Sequence, residues 1–138
     1  MPELPEVETV RRGLLKIAAK RKINAIDVYY GKTITNDVED FRQALIGQTI
    51  ENVDRRGKYL LFRFTNDLTM ISHLRMEGKF FVRKKGDSIA KHEHVEFILD
   101  DDISFRYHDV RKFGKMYLIN KEDTYFVKPL SELGLEFY

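Results

Sequence analysis

Up to about residue 20 the apolar side chains recur at helical spacing. After Lys22 they alternate in short runs broken by turn residues. That single change of period restricts the chain to a helix packed against a stack of β-strands. Val7, Val10, Leu14 and Ile17 fall at i, i+3, i+7 and i+10, which is one face of a helix. Pro2 and Pro5 must lie before that helix or in its first turn, where a missing N–H costs little. Glu6 and Glu8 at this end and Lys20-Arg21-Lys22 at the other complement the helix dipole. Strands are expected over 23–29, 49–55, 59–65, 69–74, 79–83, 95–99, 103–107 and 115–119. A short helix is expected over 36–46, with Asn36 or Asp37 as its cap, Phe41 and Leu45 on one face, and Gly47 ending it. Asn66-Asp67 and Asp100-Asp101-Asp102 supply turn chemistry, and Gly57 a tight hairpin turn. The expected class is α+β, a β-sandwich of about eight mostly antiparallel strands with a long N-terminal helix and a second short one.

At 138 residues, with 43% hydrophobic and 33% charged residues, the chain suits one folded domain. No run approaches the roughly 18 apolar residues of a membrane span, and the acidic start MPELPEVETV has no apolar signal region. Cysteine is absent, so disulfides and thiolate metal sites are excluded in this chain. This suits a cytoplasmic home. A net charge of +2 does not by itself argue for nucleic acid. The basic residues are nonetheless clustered, at Arg55-Arg56-Gly57-Lys58, Arg83-Lys84-Lys85 and Arg111-Lys112, and each cluster reads equally as a solvated turn.

Several segments mix residue types that can do chemistry. Removal of Met1, usual before a small residue, leaves Pro2 with a free secondary amine, and an α-amino group titrates near about 7.7–8.0. Such an amine attacks an aldehyde-like carbon to give an iminium, and Glu3 and Glu6 lie close enough in sequence to move protons. The same residues also make an ordinary helix start. Lys58, on the hairpin turn, suits a phosphate as a compact charge, or is simply a basic turn. Met76, before Gly78 at a strand end, is either a core filler or a wedge between bases. Arg111 and Phe113 flank one residue and on an extended backbone point the same way, which pairs a base-edge donor with a stacking ring. His92 and His94, two apart on an expected strand, lack a third ligand nearby. They read as structural or phosphate-facing rather than metal-binding.

Taken in order, these segments resemble one family. MPELPEVETV at the extreme N-terminus, Arg55-Arg56-Gly57-Lys58-Tyr59-Leu60, Ser72-His73-Leu74-Arg75-Met76-Glu77-Gly78, Lys91-His92-Glu93-His94-Val95, Asp109-Val110-Arg111-Lys112-Phe113-Gly114 and Pro129-Leu130-Ser131-Glu132-Leu133-Gly134 are similar to the blocks of formamidopyrimidine-DNA glycosylases. The resemblance implies a base-excision glycosylase and abasic-site lyase. Its expected partner is damaged double-stranded DNA, its substrates oxidised purines such as 8-oxoguanine and formamidopyrimidines, and it is expected to act as a monomer in the bacterial cytoplasm at the nucleoid. Carried over position by position, Pro2 would be the nucleophile and Glu3 the acid/base. Glu6 would support the site, and Lys58, His73 and His92 would meet phosphate. Met76, Arg111 and Phe113 would fill the gap left by an everted nucleotide, with Glu77 near the damaged base. The resemblance also implies a catalytic domain over 1–130 and, over 131–138, the start of a linker to a helix–two-turns–helix and zinc-finger domain. No cofactor is implied within this chain. A catalytically inactive module that binds DNA weakly, or serves only structurally, is the alternative.

Overall fold

The computed structural model describes residues 4–57, 59–74 and 78–120, with 4–6 and 120 described by their backbone. The expected linker start over 131–138 and the block at 129–134 lie outside the described residues. The order is α1 (Leu4–Ala18), β1 (Ile23–Val28), α2 (Val38–Leu45), β2 (Ile50–Arg56), β3 (Tyr59–Phe64), β4 (Leu68–His73), β5 (Lys79–Lys84), β6 (Glu93–Leu99), β7 (Ile103–His108) and β8 (Lys115–Asn120). Short 3₁₀ turns at Gly31–Thr33 and Asp100–Asp102 complete it.

The strands form two antiparallel four-stranded sheets, β1-β6-β7-β5 and β2-β3-β4-β8. Alternation sends Leu60, Phe62 and Phe64 of β3, Met70 of β4 and Met116 of β8 into the same core as Ile26, Phe97 and Phe105 of the other sheet. Phe62 lies parallel to Phe105 at 5.8 Å between ring centres, and Phe105 stacks on Phe97 at 4.6 Å, so aromatic rings fill the space between the layers. The opposite side of β3 is buried too. Tyr59 and Leu61 join Ile71 in a second apolar cluster, which is why the run Tyr59–Phe64 reads as continuous rather than alternating.

The helices follow the pattern with small shifts. Val7, Leu14 and Ala18 carry the buried stripe of α1 and Val10 packs against it, whereas Ile17 is only half-buried. The stripe drifts round to Ala18 because 3.6 residues per turn return closer to i+11 than to i+10. Of the two candidate caps of α2, Asp37 is the cap and accepts from the Asp40 backbone N–H at 3.1 Å. Asn36 instead holds β8, accepting from Leu118 N at 2.8 Å and donating to Leu118 O at 3.3 Å. Gly47 follows α2 in the left-handed region at φ +93°. The acidic turn places Asp101 and Asp102 at φ +62° and +59°, a conformation aspartate tolerates better than most residues.

Candidate nucleic-acid interface

Strand register decides which connections meet. Tyr59 pairs with His73 and His73 with Lys115, while Lys79 and Glu93 both pair with His108. The turn at 57–58, the connection 74–78, the segment leading into β6 and the loop 109–114 therefore open at one end of the sandwich. The start of α1 is tied to the same end, because Glu8 bonds Arg55 near the tip of β2. The far end of the helix bonds β2's beginning, Lys20 N donating to Ile50 O at 2.7 Å. The candidate residues, scattered from 6 to 113 in sequence, thus belong to elements that share one end. Pro2, Glu3, Lys58, Met76 and Glu77 themselves, and the side chain of Glu6, lie outside the described residues.

Glu8 anchors the helix to the hairpin. Its Oε1 accepts from Arg11 Nε and Arg55 Nε, both at 2.9 Å, and its Oε2 accepts from Arg11 Nη2 at 2.7 Å and Arg12 Nε at 2.9 Å. Arg55 Nη1 also donates to Gly57 O at 3.0 Å, so the carboxylate braces the very turn that precedes Lys58. These guanidinium bonds, Arg11's foremost and then Arg55's, hold the Glu8 carboxyl well below the usual carboxylate range. With Arg56 and the Arg63–Asp54 pair, the cluster lines an open groove of about 450 Å³. A carboxyl depressed on folding stabilises the fold above its unfolded value, near about 4.3, and loses that stabilisation as pH falls below it. Glu8→Gln should therefore melt at a lower temperature than the parent at pH 7. The gap should begin to narrow below about pH 5 and close only in more strongly acid solution, as pH falls towards the depressed folded value. Thermal unfolding followed by circular dichroism will show this. A gap independent of pH would mean that Glu8 acts by packing alone.

The four histidines divide by environment. His73 ends β4 buried, with its ring centre 4.2 Å from that of Tyr59. His94 is buried, and its Nε2 donates to Asp109 O at 2.6 Å, which fixes the proton on that nitrogen. His92 falls in the turn just before β6, whose pairing begins at Glu93, rather than on a strand. Half-buried, His92 meets His108 edge-on at 5.7 Å. Burial first, and then His92, pulls the His108 imidazole below its ordinary value. Among the described residues no three His, Asp or Glu side chains gather as a metal site.

The loop 109–114 corrects one expectation. It is not extended; it bends, with Lys112 left-handed at φ +61° and its Nζ 4.7 Å over the Tyr30 ring. Arg111 and Phe113 are both exposed nevertheless, Phe113 by 52%. What holds them there is Asp109, fully buried, whose carboxylate the sequence reading passed over. Its Oδ1 accepts from Arg111 N at 3.2 Å, and its Oδ2 accepts from Gly114 N at 2.8 Å and from the Tyr107 hydroxyl at 2.9 Å. The available signal was an aspartate opening a short segment closed by glycine, the pattern of a side chain bonding backbone N–H groups ahead of it.

Comparison with known proteins is consistent with this arrangement. Residues 1–116 match the family model of the formamidopyrimidine-DNA glycosylase N-terminal domain. The chain is 55% identical over 136 residues to the formamidopyrimidine-DNA glycosylase of Ligilactobacillus salivarius and 54% identical to that of Lactiplantibacillus plantarum, covering 99% of this chain in each case and 49% and 50% of those proteins. It thus spans about half the length of the curated relatives it matches. Among solved structures, wild-type Lactococcus lactis Fpg in complex with DNA containing N7-benzyl-Fapy-dG superposes with a TM-score of 0.88 at 43% identity, over 92% of this chain and 48% of that one. The complex of the Lactococcus lactis protein with Fapy-dG DNA gives 0.87 at 42% identity, over 91% and 48%. Fold and sequence agree, and the chain belongs to the formamidopyrimidine-DNA glycosylase family, of which it carries the N-terminal domain.

Proposed function

We propose that this chain is the catalytic domain, over residues 1–130, of a base-excision glycosylase and abasic-site lyase that removes oxidised purines, 8-oxoguanine and formamidopyrimidines, from double-stranded DNA. Residues 131–138 begin a linker to the DNA-gripping part of the family. The observation that carries the reading is the convergence of the helix start, the Arg55-Arg56-Gly57 hairpin, β4's end and the exposed Arg111/Phe113 loop at one end of the sandwich. The protein acts as a monomer in the bacterial cytoplasm, at the nucleoid.

Freed of Met1, Pro2 offers a secondary amine whose lone pair attacks C1′ of the damaged nucleotide. The C1′–N bond breaks and its electrons leave with the base, which takes up a proton. The sugar ring opens as Glu3 protonates the ring oxygen, leaving an iminium between Pro2 and C1′. The iminium acidifies the C2′ protons, and loss of one expels the 3′ phosphate; a second elimination expels the 5′ phosphate. Glu6 supports the helix start. Lys58, His73 and His92 meet backbone phosphates. Eversion of a nucleotide costs a few kcal/mol, and Met76, Arg111 and Phe113 entering the vacated space recover part of that cost, with Glu77 near the expelled base. No step needs a cofactor from this chain.

The test is borohydride reduction of the chain with a duplex carrying an abasic site, after intact mass has established that Met1 is absent. The expected product is a one-to-one protein–DNA adduct that maps to Pro2. No adduct, or one mapping to a lysine, overturns the lyase assignment. Salt-dependent duplex binding without an adduct would leave the chain a DNA-binding module only.

A further inference from the structure

Two of the connections at the open end meet on one buried pair. The Tyr107 hydroxyl, bonded to Asp109, occupies the place where a Cβ on either neighbouring glycine would stand, 2.5 Å from that position at Gly78 and 1.5 Å at Gly114. Gly78, where the chain enters β5, and Gly114, at the end of the 109–114 loop, are therefore packed against the same oxygen. Asp109 extends the contact to a third segment, donating from its backbone N–H to His92 O at 3.0 Å and accepting at its carbonyl from His94. Arg111 and Gly114, the residues on either side of the exposed tip, are each tethered through their backbone N–H to one carboxylate. A loop so held is already ordered. It does not lose the freedom that an untethered loop loses on entering a partner.

We propose that Asp109, with the Tyr107 hydroxyl as its second partner, is a positioning residue that presets Arg111 and Phe113 for entry into a gap in damaged DNA. The inference rests on the reading of this loop as the one that enters the duplex. Its test exploits the chemistry of asparagine. Asp109→Asn keeps an oxygen for Gly114 and Tyr107 when its amide –NH2 turns towards Arg111 N–H. That cuts one tether and leaves the others.

Binding of the 138-residue chain is measured by anisotropy on a duplex with a tetrahydrofuran gap and on the same duplex intact. A 2-aminopurine beside the gap reports insertion. Asp109→Asn should weaken gapped-duplex binding about tenfold, intact-duplex binding less than about threefold, and reduce the insertion signal in step. Tyr107→Phe should cost about threefold on the gapped duplex only. Equal losses on both duplexes would show mere support of folding and overturn the proposal, as would full retention of gap preference. Should Asp109→Asn fail to fold, the same ratio in Tyr107→Phe decides. Phe113→Ala separates the two possible failures. If it abolishes gap preference while the Asp109 and Tyr107 variants keep it, the positioning proposal alone falls. If neither the parent nor Phe113→Ala distinguishes gapped from intact duplex, the reading of the loop falls and takes the proposal with it.

Discussion

Arg106→Ala is expected to remove about 3–5 kcal/mol of folding stability, the usual cost of breaking a buried ion pair from one side. The side chain is 1% exposed in the middle of β7. Its Nε donates to Glu96 Oε2 at 3.1 Å, its Nη1 to Glu93 Oε1 at 3.1 Å and to Ser88 O at 2.9 Å, and its Nη2 to Asp87 O at 2.8 Å. Both carboxylates are buried as well, Glu93 to 3% and Glu96 to 4% exposure. Their other hydrogen bonds come from neutral donors, Ala90 N to Glu93 and Ser104 Oγ and the Tyr29 hydroxyl to Glu96, and the half-exposed Arg83 reaches Glu93 only at 4.0 Å. Burial, and next the bond to Glu96, raises that phenol to about 12. Removing the guanidinium leaves Glu96 without a counter-ion and Glu93 with only the distant Arg83 in a low-dielectric site, and takes a donor from two backbone carbonyls. Against a total stability of about 5–15 kcal/mol for a domain this is a large fraction. Urea unfolding should show a midpoint far below the parent's at similar slope. A second substitution, Glu93→Gln, should recover part of the loss, because one of the stranded charges disappears with it. A loss under about 1 kcal/mol would mean that water enters and solvates the carboxylates.

Arg106 also marks where the sequence stops being readable. Period two along Ile103–His108 puts Ser104, Arg106 and His108 on the face opposite Phe105 and Tyr107, and an isolated arginine on such a face reads as solvated. It is buried because the connection after β5 folds back over it and caps it with the carbonyls of Asp87 and Ser88, a long-range event with no local signature. Elements set by local pattern were legible. The α1 stripe, the glycine ends of the turns and all eight strands emerge within a residue or two of the expected bounds, since alternation and turn chemistry are short-range. Where local pattern was ambiguous, the outcome turned on tertiary contacts. Asp37 rather than Asn36 caps α2, because Asn36 is taken by β8. Residues 109–114 bend rather than extend, because Asp109 draws the backbone N–H groups of Arg111 and Gly114 onto one carboxylate. For the site, the sequence pointed to the exposed tips Arg111 and Phe113 but not to Tyr107 and Asp109 that hold their loop, nor to Glu8, which ties the helix to the hairpin. Tips are recognised by residue type, whereas braces are recognised only by whom they touch.

Gly114→Ala is expected to cost about 3 kcal/mol, at the upper end of what overpacking usually costs. An added Cβ would stand 1.5 Å from the Tyr107 oxygen, 2.7 Å from its Cζ and 2.9 Å from His73 O, and at such separations something must move. None of the neighbours gives way easily. Tyr107 is 1% exposed, its ring sits 5.3 Å from that of Phe80 and its hydroxyl is bonded to Asp109, while the His73 carbonyl belongs to the end of β4. The displacement therefore propagates into β7, β4 and the loop 109–114 together. The double variant with Tyr107→Phe tests this account, because it deletes the atom that lies closest while keeping the ring. Its loss of stability should fall short of the sum of the two single losses by about 1 kcal/mol or more, a coupling read from urea unfolding of all four proteins. Additive losses would mean that the backbone carbonyl of His73, not the tyrosine, sets the limit at Gly114. The joint between β4 and the loop would then be held by main chain alone, and the hydroxyl would contribute only its bond to Asp109.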